Sequence, residues 1–194
     1  MNISNLCRRG LLVSLCGFFS TAAIADPITF DIDSRHTFPA FAADHQSGFS
    51  IWRGKIGETS GTIVLDREAE TGTVNVTMNM DTIDFGLDAM SDHARAPDIL
   101  DVAQFPTATY EGTLTGFQDG NPTAVTGNLT MHGVTQPLNL EISHLQCRER
   151  DMREACGAEI LGSLDRSDYG VDFGLGRHLM WVELQIQLEA VERE

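Results

Sequence analysis

Val182-Glu183-Leu184-Gln185-Ile186-Gln187-Leu188-Glu189-Ala190 alternates apolar and polar side chains without a break. Successive strand residues point to opposite faces of a sheet, so this stretch describes a strand with one dry face and one wet face. Two further stretches read the same way. Val74, Val76, Met78 and Met80 alternate with Asn75, Thr77, Asn79 and Asp81, and Leu138, Leu140 and Ile142 alternate with Asn139, Glu141 and Ser143. A small chain with many such strands must turn their apolar faces towards one another. An antiparallel barrel or sandwich does so, and a barrel can enclose an apolar cavity.

Working outward, strands are expected near 28–32, 37–45, 48–53, 59–67, 73–80, 107–117, 123–131, 136–144, 157–166 and 180–191. Turn residues separate several of them, such as Glu70-Thr71-Gly72 and Asp119-Gly120-Asn121-Pro122. The segment 87–95 lacks β-branched residues and reads as a short helix ended ahead of Pro97. Among strands it is either a lid over a barrel opening or a plain crossover. No internal repeat or Pro/Ser-rich linker divides 26–194, which reads as one domain.

The first 25 residues read as an export leader. Arg8 and Arg9 form a basic start, 11–19 is apolar, and Ala23-Ile24-Ala25 is a small-residue cleavage signal. Processing is expected after Ala25. The apolar run is too short to span a bilayer, so no stable membrane anchor is expected. The arginine pair leaves open general or twin-arginine export, and both routes leave the cytoplasm. The formal net charge of the 194-residue chain is -15, and the leader carries two of its positive charges. Such a chain repels phosphate backbones, which argues against a nucleic-acid partner. Cys7 and Cys16 fall in the leader, leaving Cys147 and Cys156. In an oxidising compartment this pair is expected to form a disulfide. The charged run 148–154 between them reads as an exposed connection. The spacing is not C-x-x-C and no further cysteine remains for a metal site.

Several motifs are spread over about 28–191. They are Asp33 and His36, then Phe41 and Asp44-His45; Gly61-Thr62-Ile63-Val64-Leu65-Asp66; Asp92-His93, Asp98-Ile99-Leu100-Asp101 and Phe105-Pro106-Thr107-Ala108-Thr109-Tyr110. Val125-Thr126-Gly127-Asn128-Leu129-Thr130-Met131-His132-Gly133-Val134-Thr135-Gln136-Pro137-Leu138 and Arg166-Ser167-Asp168-Tyr169-Gly170-Val171 follow. In content and order these motifs resemble the YceI family. The resemblance implies an extended, lipocalin-like antiparallel β-barrel whose cavity holds a polyisoprenoid, such as a quinone tail, or a similar long-chain lipid. It implies a periplasmic location and no agreed catalytic machinery. Members are often dimers, so a homodimer is part of what it implies. Departures are Pro39, where a β-branched residue is usual, Ala43 in place of a larger side chain, and Leu179-Met180-Trp181-Val182 in place of an acidic turn. Proline removes a ladder donor, so Pro39 requires an edge or a bulge.

The ligand-binding set read from the sequence is Phe41, His45, Phe49, Trp52, Met78, Met80, Phe85, Tyr110, Met131, Tyr169, Phe173 and Trp181. Aromatic rings close a cavity, and unbranched methionines adapt to an irregular ligand. His45 shares a strand face with Phe41 and Ala43, which points it inward. His93 lies among Asp88, Asp92, Asp98 and Asp101, a grouping read as solvated charge rather than a cation site. His132 falls on a polar face and is expected to be exposed. No H-E-x-x-H, G-x-S-x-G, P-loop, G-x-G-x-x-G or C-x-x-C-H occurs. No catalytic residue, metal or cofactor is therefore assigned. A lipid carrier is the leading reading; the rivals are a secreted stress-related or structural protein whose barrel is filled by its own side chains and, behind it, a metal-dependent enzyme using His45 or the His93 group.

Overall fold

In the computed structural model, residues 26–46, 48–174 and 180–194 are described. The leader, with Cys7 and Cys16, and Leu179 lie outside them. Along the chain run β1 (Ile28–Ile32), β2 (Phe38–His45), β3 (Ser50–Ile56), β4 (Thr59–Asp66), β5 (Thr71–Asn79), β6 (Ile83–Asp84), α1 (Asp88–Arg95), β7 (Thr107–Thr115), β8 (Ala124–Met131), β9 (Val134–Arg150), β10 (Arg153–Asp165) and β11 (Trp181–Glu192). All pairings between these strands are antiparallel. Eight strands, in the order β1-β4-β5-β7-β8-β9-β10-β11, close into a barrel because β1 also pairs with β11. The expected all-β, lipocalin-like barrel with one short helix is the observed fold.

The barrel forks on one side. β1 and β2 lie end to end on the same edge of β11, with Ile32 facing Ala190 and Phe38 facing Gln187. Three extra residues therefore bulge out between them. Asp33, His36 and Thr37 hold the bulge. The Asp33 and Thr37 anchors both reach Glu189, whose carbonyl accepts from the Asp33 N–H at 2.9 Å and the Thr37 hydroxyl at 3.0 Å. The Asp33 carboxylate lies 2.9 Å from the His36 ring, and the Arg150 guanidinium stands 3.5 Å from it. Below the bulge β1 takes β4 as its second neighbour; above it β2 takes β3, which carries β6. Pro39 sits just past the bulge, and β3 begins to pair with β2 only at Ala40, so the missing donor faces no strand on that side. The β2–β3 hairpin thus extends the wall beyond the closed ring, and α1 packs beside β6.

Two local features were hidden by the period-2 reading. In β9, Ile142 faces Ile160 and His144 faces Glu159, so Ser143 is an extra, bulged residue. The bulge flips the alternation, and inward residues pass from Leu138, Leu140 and Ile142 to Leu145 and Cys147. The expected strand end at 144 is that flip; β9 runs on to Arg150. The expected connection over 148–154 shrinks to the turn Asp151-Met152, both with positive φ, as a tight two-residue hairpin requires. Cys147 and Cys156 face each other across this hairpin and form the disulfide. At the same barrel end the Arg67 guanidinium reaches from the end of β4 to Glu154, at 2.8 and 3.1 Å.

Replacing Cys147 and Cys156 by serine together is expected to lower stability by roughly 2.5–3 kcal/mol on the chain-entropy estimate, measured by denaturant unfolding. The His36 hydrogen bond holds the Asp33 carboxyl below the ordinary carboxylate range, with the Arg35 N–H assisting. A depressed folded value means the unfolded chain binds more protons at low pH. The Asp33 contribution is thus complete above about pH 4, the unfolded value, and fades as pH falls through the folded value. Asp33→Asn should flatten that acid limb in a series of melts from pH 7 to pH 3; an unchanged pH slope would contradict the assignment.

Candidate functional site

The inward faces enclose an apolar cavity of about 480 Å³, within the range of about 300–1,000 Å³ usual for ligand pockets. The opening stretch of β11 supplies one wall: Val182, Leu184, Ile186, Leu188 and Ala190 line the cavity. Gln185 and Gln187 point out to water. Val74, Val76 and Met78 of β5, and Val125, Leu129 and Met131 of β8, form the wall opposite. Tyr110 of β7 lies across the neighbouring strand. A side-chain carbon at Gly127 would stand 2.7 Å from its hydroxyl, and one at Gly112 would stand 3.0 Å from its ring. These two glycines face each other across β7 and β8 and make the room. The Tyr110 hydroxyl then donates to the Leu138 carbonyl at 2.9 Å. Burial pushes its phenol up to about 12, so it stays a neutral donor fixed on the wall.

Above the fork the cavity opens between the β2–β3 hairpin and α1. Phe85, just after β6, meets Phe41 edge-on at 5.3 Å and Trp52 at 6.3 Å. The helix turns Ala89, Met90, His93 and Ala94 towards the cavity, residues that share one face at i, i+4 spacing. The lid and crossover readings of this segment merge: it connects strands and also forms part of the wall. Across the mouth the His93 ring meets Phe173 edge-on at 5.2 Å, while its Nε2 lies 3.2 Å from the Asp98 carboxylate.

Of the sequence-derived set, Phe41, Trp52, Met78, Met80, Phe85, Tyr110, Met131 and Phe173 line the cavity. Four residues fall elsewhere. His45 stacks on Trp52 at 3.6 Å with its Nδ1 3.2 Å from the Ser50 hydroxyl, at the hairpin tip rather than on the wall. Phe49 lies in the turn before β3, where strand alternation does not apply, and is 83% exposed. Trp181 is 54% exposed because Val182 takes the inward position beside it. Tyr169 is buried at 2% exposure in the short 3-10 turn Arg166–Tyr169, and its carbonyl lies 3.0 Å from His132 Nδ1. His132 is correspondingly half-buried against Phe105, not exposed, and His93 is a wall residue, not only a solvated charge.

Six hydroxyl-bearing or titratable side chains reach the wall: Thr37, Asp44, Thr59, His93, Tyr110 and Arg166. Thr37 bonds Glu189, Asp44 accepts from the Gly48 N–H, His93 meets Asp98, and Tyr110 bonds Leu138. Arg166 donates to the Val171 and Phe173 carbonyls, and burial draws its guanidinium below the ordinary value. Thr59 stands apart. It is 1% exposed, and its hydroxyl is the one buried side-chain polar atom without a partner among the described residues. It shares the inward parity of Ile63 and Leu65, so β4 alternation could have found it. Two groups among the described residues bring three potential metal ligands together. In Cys147–Glu154–Cys156 the sulfurs are joined as a disulfide, and in Asp33–His36–Glu189 the Arg150 guanidinium already supplies the positive charge.

The YceI-like domain pattern matches residues 30–191. Protein YceI of Salmonella arizonae is 31% identical over 179 residues, covering 91% of this chain and 93% of that protein. Two solved structures share the fold. A polyisoprenoid binding domain from Saccharophagus degradans, implicated in plant cell wall breakdown, superposes with a TM-score of 0.61 at 14% identity, covering 86% of this chain and 99% of that one. The Campylobacter jejuni YceI protein superposes with a TM-score of 0.66 at 22% identity, covering 78% and 90%.

Thr59→Val keeps the shape of the side chain and removes an unpaired buried hydroxyl. It is expected to raise the stability of the empty barrel by about 1 kcal/mol, read as a higher unfolding midpoint; a loss of stability would show that the hydroxyl is satisfied in solution.

Proposed function

The chain belongs to the YceI-like family, and on that premise we propose that it is an exported carrier that holds a polyisoprenoid, such as a quinone tail, or a similar long-chain lipid in its barrel. The observation that carries this reading is the apolar cavity of about 480 Å³ walled by side chains from the closed ring and from α1. The Saccharophagus degradans domain with the same fold is described as polyisoprenoid binding, which supports the ligand class. The leader read in residues 1–25 supports export to the periplasm after cleavage at Ala25. The hollow weighs against a barrel plugged by its own side chains. Five of the six polar or titratable wall groups are engaged in internal hydrogen bonds, which favours a binding role over catalysis.

Hiding one five-carbon isoprene unit from water gains roughly 4 kcal/mol at about 0.8 kcal/mol per carbon. Several units would pass the affinity ceiling of about -18 to -21 kcal/mol, so that sum is not a net affinity. The competitor for such a tail is a membrane, which is equally apolar. Exchange between bilayer and barrel is then close to balanced in hydrophobic free energy, and packing shape decides occupancy. That balance suits a shuttle or store.

Native mass spectrometry and lipid extraction of protein purified from its own cell envelope should find a long-chain lipid bound to the chain. An empty barrel that takes up no prenol or quinone analogue would overturn the reading. Ala158 lines the cavity, and Ala158→Phe places a ring inside it. Uptake should weaken at least about ten-fold, equivalent to about 1.4 kcal/mol, with the melt still cooperative.

A further inference from the structure

The exposed apolar side chains are not spread evenly over the molecule. Among the described residues, six large hydrophobic side chains are exposed: Phe49, Ile51, Leu87, Met152, Phe173 and Trp181. Five of them belong to segments at the mouth. Phe49 and Ile51 form the tip of the β2–β3 hairpin. Ile51 faces Asp44, and Val182 faces Ala43, which brings Trp181 to the level of Asp44 on the outer face of the same sheet. Phe173 meets His93 across the opening. Leu87 follows Phe85, which packs on Trp52, and immediately precedes α1. Only Met152 lies at the other end, in the β9–β10 turn.

We propose that this rim docks the barrel, mouth first, on the surface of a zwitterionic lipid bilayer. Exposed apolar clusters of this kind mark interaction sites. The five side chains come from separate segments standing around an opening and do not form one flat strip. A bilayer interface accepts separated aromatic and aliphatic side chains individually, with tryptophan favoured at the headgroup level. A rim seated in the interface also places the opening against hydrocarbon, so a lipid passes into the cavity without crossing water. The charges at this end select the surface. Asp44, Asp88 and Asp92 lie on the hairpin and helix that bear or adjoin the rim and Asp98 follows the helix, against Arg53 and Lys55 on β3 and Arg95 on α1, and the whole chain is at -15. Anionic headgroups are repelled, so attachment comes from apolar insertion and is insensitive to salt. This docking concerns the outer rim; only its purpose rests on the carrier reading above.

The test is flotation with phosphatidylcholine vesicles, using protein recovered from its own cell envelope with its N-terminus read by mass spectrometry. The wild type and Met152→Ser should float equally. Phe49→Ser/Ile51→Ser/Trp181→Ser should lose at least ten-fold in vesicle partitioning. Replacing a third of the lipid with phosphatidylglycerol should weaken binding, and 0.5 M salt should leave it unchanged on neutral vesicles. Circular dichroism checks the fold of the triple variant, and the single Phe49→Ser at the hairpin tip gives the same readout at smaller amplitude. Absence of wild-type binding, full binding by the triple variant, or binding only to anionic vesicles would overturn the proposal. So would a dimer abolished by the triple variant without vesicle binding, which would assign the rim to a second copy. Lipid extraction tests the cargo separately, so an empty barrel that floats and a loaded barrel that does not are distinguishable results.

Discussion

The fork in the wall is pinned at the backbone of Glu189. Its carbonyl accepts from Asp33 and from the Thr37 hydroxyl, and its own N–H donates back to Thr37 at 3.1 Å. Two strands of the same direction are thereby pinned to one edge of β11 with three residues bulged between them. Without that bulge β1 and β2 would be one strand with one neighbour. With it the wall divides, and β4 closes the barrel below while β3 and β6 continue it above. The Asp33–His36 contact, reinforced by Arg150, holds the bulge in shape at little exposure of the Asp33 carboxylate. The mouth, the helix beside it and the depth of the cavity all follow from that fork.

Below the fork the ring of strands is closed, and above it the wall is open. Neighbouring strands hydrogen-bond all round the ring, and the Cys147–Cys156 disulfide and the Arg67–Glu154 ion pair stand together at its far end. Two glycines of the ring and one on β3 beyond it leave space for neighbouring side chains. Gly112 and Gly127 admit the Tyr110 ring, and Gly54 lies under Phe41, whose ring tip would stand 2.7 Å from any side-chain carbon added there. The polar groups of the wall are mostly bonded to the chain's own backbone, and His93 meets the Asp98 carboxylate. A wall of this kind holds hydrocarbon by exclusion of water, with few directional demands on the ligand.

Much of this was legible in the sequence, because a barrel with one dry face writes its strands in alternation. The β11 stretch, the apolar positions of β5 and of the first half of β9, the helix ended by Pro97 and the cysteine pair are all found where their patterns put them. What escaped lies where alternation fails. The Ser143 bulge reverses the parity of β9 and hid its last six residues. The tip of the β2–β3 hairpin is a turn, so Phe49 stands outside the alternation, and Trp181 faces outward because Val182 fixes the parity of β11. His93 belongs to the wall through helical spacing from Ala89 and Met90, a period that a charge-based reading of its acidic neighbours overlooks. The fork itself was written as Asp33, His36 and Pro39, but its geometry depends on Glu189, more than 150 residues away.

The central claim is a hollow that belongs to a lipid. An electron-density map of crystals grown from protein recovered from its own cell envelope, without delipidation, tests it most directly. The account predicts continuous, unbranched or regularly methyl-branched density running from the His93–Phe173 mouth past Tyr110 towards the disulfide. Density accounted for entirely by protein side chains folded into that space would contradict it.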